Sequence, residues 1–222
     1  MTSIGAVIFD FDGTLAELTI DFAVMRRQVG ALAEAFLDEP APTGSEPVLE
    51  WIEGVSRRIG DHDRSQGLEF ASRCRLLITA VEMKAAKAGN LFGFTRSLLH
   101  DLAGQGIKRG IITRNCSAAV KQVFPELSSH CDVFLAREDV PRVKPHPEHL
   151  FQAIQALNGQ PGRSLMVGDH VMDIQVAKRC GVLSAAVTSG TMTREQLQAE
   201  GPDFLVEHAG QLPAVLESAG LL

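Results

Sequence analysis

Four short stretches hold residues that could do chemistry. "DFDGT" places Asp10 and Asp12 two apart, just after an apolar run. "GIIT" ends on Thr113, "RVKPHPE" holds Lys144, and "LMVGDHVMD" holds Asp169 and Asp173. Carboxylates crowded together, here Asp10, Asp12 and Asp169, repel one another unless a cation joins them. Mg2+ fits that need, being a hard ion that accepts one or two carboxylates plus substrate oxygens and water. With Lys144 and the Thr113 hydroxyl beside them, the remaining space suits a phosphoryl group, whose charge such donors stabilise. Gly13 lets the backbone approach a phosphate closely, where amide N–H groups form an anion-binding concavity. Each residue alone says little, since an Asp at a strand end is usually a turn or cap residue. Their order, each at the expected carboxyl end of a strand, is what carries weight.

The elements that must position these groups are legible in outline. After the opening "AVIF", apolar runs recur at 110–114, 132–136, 164–169 and 183–189, with a weaker one at 203–207. Most are too short and too uniformly apolar for half-exposed strands, which points to a parallel sheet covered on both faces. Helical patterns such as Leu150, Phe151, Ile154 and Leu157 separate them. That alternation argues a doubly wound, Rossmann-like α/β core, whose ligands gather beyond the carboxyl ends of the strands. Side chains two apart on a strand share a face, so Asp10 and Asp12 are expected to point the same way.

Residues 16–89 show no convincing strand and read as an all-helical insertion. Phe22, Met25, Val29, Leu32 and Phe36 mark one helix face. Pro47 opens a second helix along Val48, Ile52, Val55 and Ile59, and a third spans roughly 68–88 after the break "GDHDRSQG". The expected organisation is 1–15 for the first strand and its motif, 16–89 for the insertion, and 90–222 for the rest of the core.

At 222 residues, with 45% hydrophobic and 22% charged, the composition is that of a soluble globular protein with room for such an insertion. A net charge of −6 argues against nucleic-acid or anionic-membrane partners, and an anionic substrate would need local positive charge. The four scattered cysteines lack any CxxC pair and read as reduced, mostly buried thiols. With no stretch of membrane-spanning length and no signal-peptide pattern, the expectation is a cytoplasmic protein. No pattern speaks to oligomeric state.

Together these residues resemble the haloacid dehalogenase-like superfamily, specifically its helical-cap phosphatases of the phosphoglycolate phosphatase kind. "DFDGT", "IIT", "KP" and "GDHVMD" stand as its four motifs, with the insertion between the first and second. The resemblance implies that Asp10 attacks phosphorus and becomes an aspartyl phosphate, while Asp12 protonates the leaving oxygen and then activates water. It implies Mg2+ on the Asp10 carboxylate, the Asp12 backbone carbonyl and Asp169. Thr113 and Lys144 would contact the phosphoryl, and Asp173 would orient Lys144 or metal-bound water from behind. The implied activity is Mg2+-dependent hydrolysis of a small phosphorylated metabolite, phosphoglycolate-like or a sugar phosphate, with a phosphomutase as the alternative. A receiver-like phospho-acceptor domain is the alternative outside enzymes, and the insertion and DxDGT argue against it. A dehalogenase is disfavoured because those relatives lack the second acid, here Asp12.

Two departures stand out. Arg114 occupies a position where relatives often carry Asn, with Asn115 next, and both are candidate substrate contacts. Arg114 would meet a second anionic group. His170 fills a variable slot, and "HPEH" (146–149) reads as a helix first turn rather than a zinc site. The insertion is expected to close over the site, with hinges near 16–17 and 89–90 and with Arg57 and Arg58 as candidates to face substrate.

Overall fold

The computed structural model describes residues 3–44 and 46–222. The chain opens with β1 (Ala6–Phe9), and a two-residue strand, β2 (Ala16–Glu17), follows. Three long helices come next, α1 (Phe22–Leu37), α2 (Val48–Gly60) and α3 (Arg64–Ala86). After β3 (Asn90–Leu91), helices and strands alternate through α4 (Thr95–Gly104), β4 (Lys108–Ile112), α5 (Ser117–Val123), α6 (Leu127–His130) and β5 (Val133–Leu135). The alternation continues with α7 (Pro147–Ala156), β6 (Ser164–Gly168), α8 (Val171–Cys180) and β7 (Leu183–Val187). It ends with α9 (Arg194–Ala199), β8 (Phe204–Val206) and α10 (Leu212–Ser218).

Six strands form one parallel sheet in the order β5-β4-β1-β6-β7-β8. This is the doubly wound core expected from the alternating runs. Strand addition proceeds one way from β1 through β4 and β5, then restarts on the other side at β6. The carboxyl ends of β1 and β6 therefore flank the topological switch point, where such sheets bind ligands. Both strands are buried at every position, because helices cover both faces. Leu150, Ala153 and Ile154 of α7 and Val176, Ala177 and Cys180 of α8 pack with Ala6, Ile8, Ile112 and Met166. Each large apolar side chain so buried contributes about 1.5–3 kcal/mol. Strand β4 starts two residues before the apolar run because Lys108 and Arg109 already pair with Ala6 and Val7 of β1, and Asp132 accepts from both the backbone N–H (2.8 Å) and Nε (3.1 Å) of Arg109.

Thr19–Lys87 forms a second compact unit. Its interior is built from Met25, Val29 and Ala33, Trp51, Ile52, Val55 and Ile59, and Phe70, Cys74 and Ile78. Phe22, read above as part of the buried face, is 60% exposed. Helical Cα–Cβ bonds tilt toward the N-terminus, so the first side chain of α1 points past the end of its own helix. The third helix starts at Arg64, earlier than expected, because the Asp63 carboxylate caps it by accepting from the N–H groups of Ser65 (2.8 Å) and Gln66 (3.2 Å). Gly67 was read as part of a break, yet it lies inside α3. A Cβ there would come 2.6 Å from the Ser56 carbonyl oxygen, so the glycine permits a close helix–helix approach.

The segment read as free of strands does contain one. Ala16–Glu17 pairs antiparallel with Asn90–Leu91, a ribbon too short to leave an alternating pattern in the sequence. All four cysteines are free, and burial raises the thiol of Cys74 to about 12 and those of Cys131 and Cys180 to about 11. Thiols so held are poor nucleophiles. Among the described residues no helix is long and apolar enough to cross a membrane.

Candidate active site

Asp10 continues the pairing of β1 by one bond, its N–H donating to the Val167 carbonyl at 2.8 Å. That fixes its carboxylate at the mouth of the crevice beside β6. Beyond Asp10 the chain leaves the sheet. The N–H groups of Leu15 and Ala16 both return to the Phe11 carbonyl, and that of Gly13 donates to the Ala16 carbonyl. "DFDGT" is therefore a turn, and the strand-face argument for Asp10 and Asp12 does not describe it. Gly13 takes φ +76, and a Cβ there would lie 2.4 Å from Asp169 Oδ2, so only glycine fits both the turn and its neighbour.

Asp12 Oδ1 accepts the Leu18 N–H at 2.9 Å. Burial raises its carboxyl to about 7, against the lowering effect of that hydrogen bond. Such a group can both give and take a proton near neutral pH.

Lys144 is 2% exposed, and its Nζ lies 2.7 Å from Asp10 Oδ1 and 2.6 Å from Asp173 Oδ1. Burial works against its charge, but the two carboxylates more than offset that and its pKa is raised. The other oxygen of Asp173 accepts the His170 N–H at 3.1 Å, so both its oxygens are engaged. Asp169 follows β6, and its Oδ1 accepts from the Thr14 hydroxyl at 3.3 Å.

Carboxylate oxygens from Asp10, Asp169 and Asp173 all lie within 4.8 Å of one another. Burial, then the other carboxylates, pushes Asp169 well above the ordinary range, and burial lifts Asp173 to about 6 although Lys144 holds it down. Asp169 and Asp173 thus hold their protons to higher pH than ordinary carboxylates, and a divalent cation would compete with those protons. Its donors are all oxygens, the set preferred by hard divalent ions. This acidic triad can coordinate a divalent metal.

Thr113 follows β4, its N–H donating to the Leu135 carbonyl at 3.1 Å. Its Oγ1 accepts the Asn115 N–H at 3.1 Å, an interaction that leaves the hydroxyl hydrogen to donate elsewhere. Asn115 is buried, and its Nδ2 has no hydrogen-bond partner among the described residues. One guanidinium nitrogen of Arg114 donates to the Lys144 carbonyl. Lys144 thus joins Asp10 and Asp173 directly, Asp169 lies beside them, Gly13 sits against Asp169, and Arg114 is joined through the Lys144 carbonyl.

The remaining candidates have other partners. Arg57 and Arg58 are in exposed ion pairs of the helical unit, with Glu53 (2.9 Å) and Glu39. His170 caps α8, its Nδ1 accepting the Met172 N–H at 3.2 Å. His146 caps α7 by accepting from Glu148, and Pro147 opens that helix as expected. The sequence reading missed Thr14 and Ser189, whose hydroxyl donates to the Gly13 carbonyl at 2.6 Å. The available signal was the polar end of "LSAAVTS", which reaches the same edge of the sheet as the other motifs.

The family model described as haloacid dehalogenase-like hydrolase matches residues 7–187. A pyrophosphatase PpaX of Bacillus cereus is 37% identical over 120 residues, 53% of this chain and 56% of that protein. The chain thus matches only a little over half the length of the curated relatives. Among solved structures, a candidate haloacid dehalogenase-like hydrolase from Bacteroides fragilis superposes with a TM-score of 0.65 at 26% identity, covering 95% of this chain and 100% of that one. A hydrolase from Pseudomonas syringae superposes with a TM-score of 0.68 at 20% identity, over 96% and 98% of the two chains, a likeness of fold alone. The family match spans most of the chain, from β1 to the last residue of β7, and takes in every motif of the crevice: the chain belongs to the haloacid dehalogenase-like hydrolases.

Proposed function

We propose that the chain is a Mg2+-dependent phosphomonoester hydrolase that acts on a small phosphorylated metabolite through an aspartyl-phosphate intermediate. One observation carries the reading: a buried ammonium, Lys144, is clamped onto Asp10 in a crevice otherwise lined with carboxylates. A phosphate dianion would be repelled there without that charge. In the proposed reaction an Asp10 oxygen attacks phosphorus and the ester P–O bond breaks. Its electron pair stays on the leaving oxygen, which takes the proton of Asp12. Asp12 then removes a proton from water, the water oxygen attacks phosphorus, and the bond to Asp10 breaks to release inorganic phosphate. Splitting one displacement into two in this way is the usual advantage of covalent catalysis.

The other residues bind and orient. Thr113 donates its free hydroxyl hydrogen to a phosphoryl oxygen, and Lys144 neutralises both that group and Asp10. Asp173, with both oxygens engaged, holds Lys144 in place. Mg2+ would be held by the Asp10 and Asp169 carboxylates and the Asp12 carbonyl, and would supply charge neutralisation at the phosphoryl oxygens. Arg114, anchored on the Lys144 carbonyl, and Asn115 serve esters that carry a second anionic group.

The test is a panel of phosphoglycolate, sugar phosphates, nucleoside monophosphates and pyrophosphate, the last because the Bacillus relatives are named pyrophosphatases. Phosphate release should require Mg2+, stop in chelator and return on adding the ion, and Asp10→Asn should abolish it. Full turnover in excess chelator, or an active Asp10→Asn protein, would overturn the reading. Isomer formation without phosphate release would point to a mutase.

A further inference from the structure

Lys144 is held by its backbone as well as by its ammonium. Its N–H donates to Nδ1 of His149 at 3.3 Å, and its carbonyl accepts from Arg114. His149 is fully buried in α7, and its Nε2 lies 3.1 Å from the Leu135 carbonyl. Because Nδ1 faces an N–H, the hydrogen-bond network assigns the ring proton to Nε2, which donates to Leu135. That same carbonyl accepts the N–H of Thr113 at 3.1 Å. One oxygen at the end of β5 therefore ties Thr113 directly and Lys144 through a single imidazole ring.

Most buried histidines only fill a core and satisfy their own nitrogens. Here each nitrogen serves a residue that touches, or shares a carbonyl with, the phosphoryl-binding groups. Burial, with the Lys144 ammonium next in effect, lowers the imidazole to about 3, so the ring stays neutral and Nδ1 stays an acceptor. Without the ring, a buried N–H of Lys144 and one lone pair of Leu135 would lack partners.

We propose that His149 is a positioning residue for phosphoryl transfer, a neutral tie that sets Lys144 in register with Thr113 from the Leu135 carbonyl. The assignment rests on the roles proposed above for Lys144 and Thr113. It follows from geometry alone that moving the Lys144 backbone moves Nζ off Asp10, and misplacement by 1 Å can cost about 100-fold in rate.

The experiment uses the full chain with Mg2+, an activated aryl phosphate as substrate, and hydrogen exchange at the Lys144 amide. His149→Leu keeps the bulk and removes both bonds, and it should lower kcat by about 10- to 100-fold with KM changed far less. Exchange at the Lys144 amide should quicken while the amides of β1 stay protected. His149→Gln, whose amide can accept from Lys144 and donate to Leu135, should recover most of the loss. A folded His149→Leu protein with the kcat of wild type would overturn the proposal, as would a Gln variant no better than Leu. Should the Leu protein not fold, His149→Asn replaces it, carrying the same groups on a stem too short to reach both partners. Asn and Gln variants of equal activity would then overturn the proposal. An inactive wild-type chain would instead sink the phosphatase reading, and the exchange measurement would still report on the tie.

Discussion

Lys144→Met tests the electrostatic logic of the crevice most directly. The ammonium is 2% exposed and touches Asp10 at 2.7 Å and Asp173 at 2.6 Å. At an effective dielectric of about 20, each contact is worth about 6 kcal/mol of Coulomb attraction. Desolvating three charged groups offsets most of that. What remains visible on removing one partner of a buried pair is about 3–5 kcal/mol, because the other partners stay buried without compensation. In chelator the variant should show that full loss of core stability. With saturating Mg2+ the loss should shrink, since the cation supplies part of the missing charge. Trp51, the single tryptophan, lies in the helical unit, so its fluorescence reports that unit. Hydrogen exchange of the β1 and β6 amides reports the core. Unchanged β1 and β6 protection in chelator would refute the reasoning, and so would a loss of equal size with and without Mg2+.

Three further outcomes are expected. In Asp12→Ala, Asp10 should still attack the phosphorus of an activated aryl ester and release the aryl oxide, but the base for hydrolysis is lost, a contribution of about 10²–10⁴-fold. Rapid quench should show a burst of leaving group and a protein-bound phosphate, and absence of both in a folded variant would refute the division of labour. His149 has a folded pKa of about 3, below its ordinary value of 6.5, so the unfolded chain takes its proton first. Its contribution is complete above pH 6.5 and is lost as pH falls toward 3, by about 2 kcal/mol at pH 5. His149→Gln should remove that part of the acid sensitivity in denaturation curves, and superimposable wild-type and variant profiles would contradict it. Replacing Thr19–Lys87 by a short linker should leave a folded core that hydrolyses an aryl phosphate slowly and loses preference among natural esters. Unchanged relative kcat/KM across the panel would show that the helical unit does not select.

The core was legible because its signals are local. Uniformly apolar runs ending in Asp10, Thr113 or Asp169 name both the strand and its carboxyl end, and the alternation with helices sets the sheet type. The turn at Gly13 was not legible as such. Spacing by two suits a strand, and only the return of several N–H groups to the Phe11 carbonyl shows that the strand has stopped. Gly67 misled for a related reason: glycine marks a breaker in sequence, whereas the approach of α2 that requires it is a tertiary fact. Thr14, Ser189 and His149 stand in stretches the sequence singles out, "DFDGT", "LSAAVTS" and "HPEH", but their partners do not show there. Thr14 and Ser189 act through partners far along the chain, Asp169 and Gly13, and His149 reaches Lys144 and Leu135 only once α7 is folded against β5. Nothing in the local pattern distinguishes such a residue from its neighbours.

The antiparallel ribbon of β2 and β3 has a consequence for how this protein can change over generations. It joins the chain where it leaves the sheet to where it returns, so the ends of the intervening segment are held together whatever lies between. To the sheet, the helical unit is a loop already closed, and doubling such a loop costs only about 0.6 kcal/mol. The insertion is in this sense a cassette. Helices within it can be swapped, shortened or extended at small cost to the framework that carries Asp10, Lys144 and Asp169. Selection can therefore act on one stretch of the gene while the stretches that build the acidic crevice stay fixed.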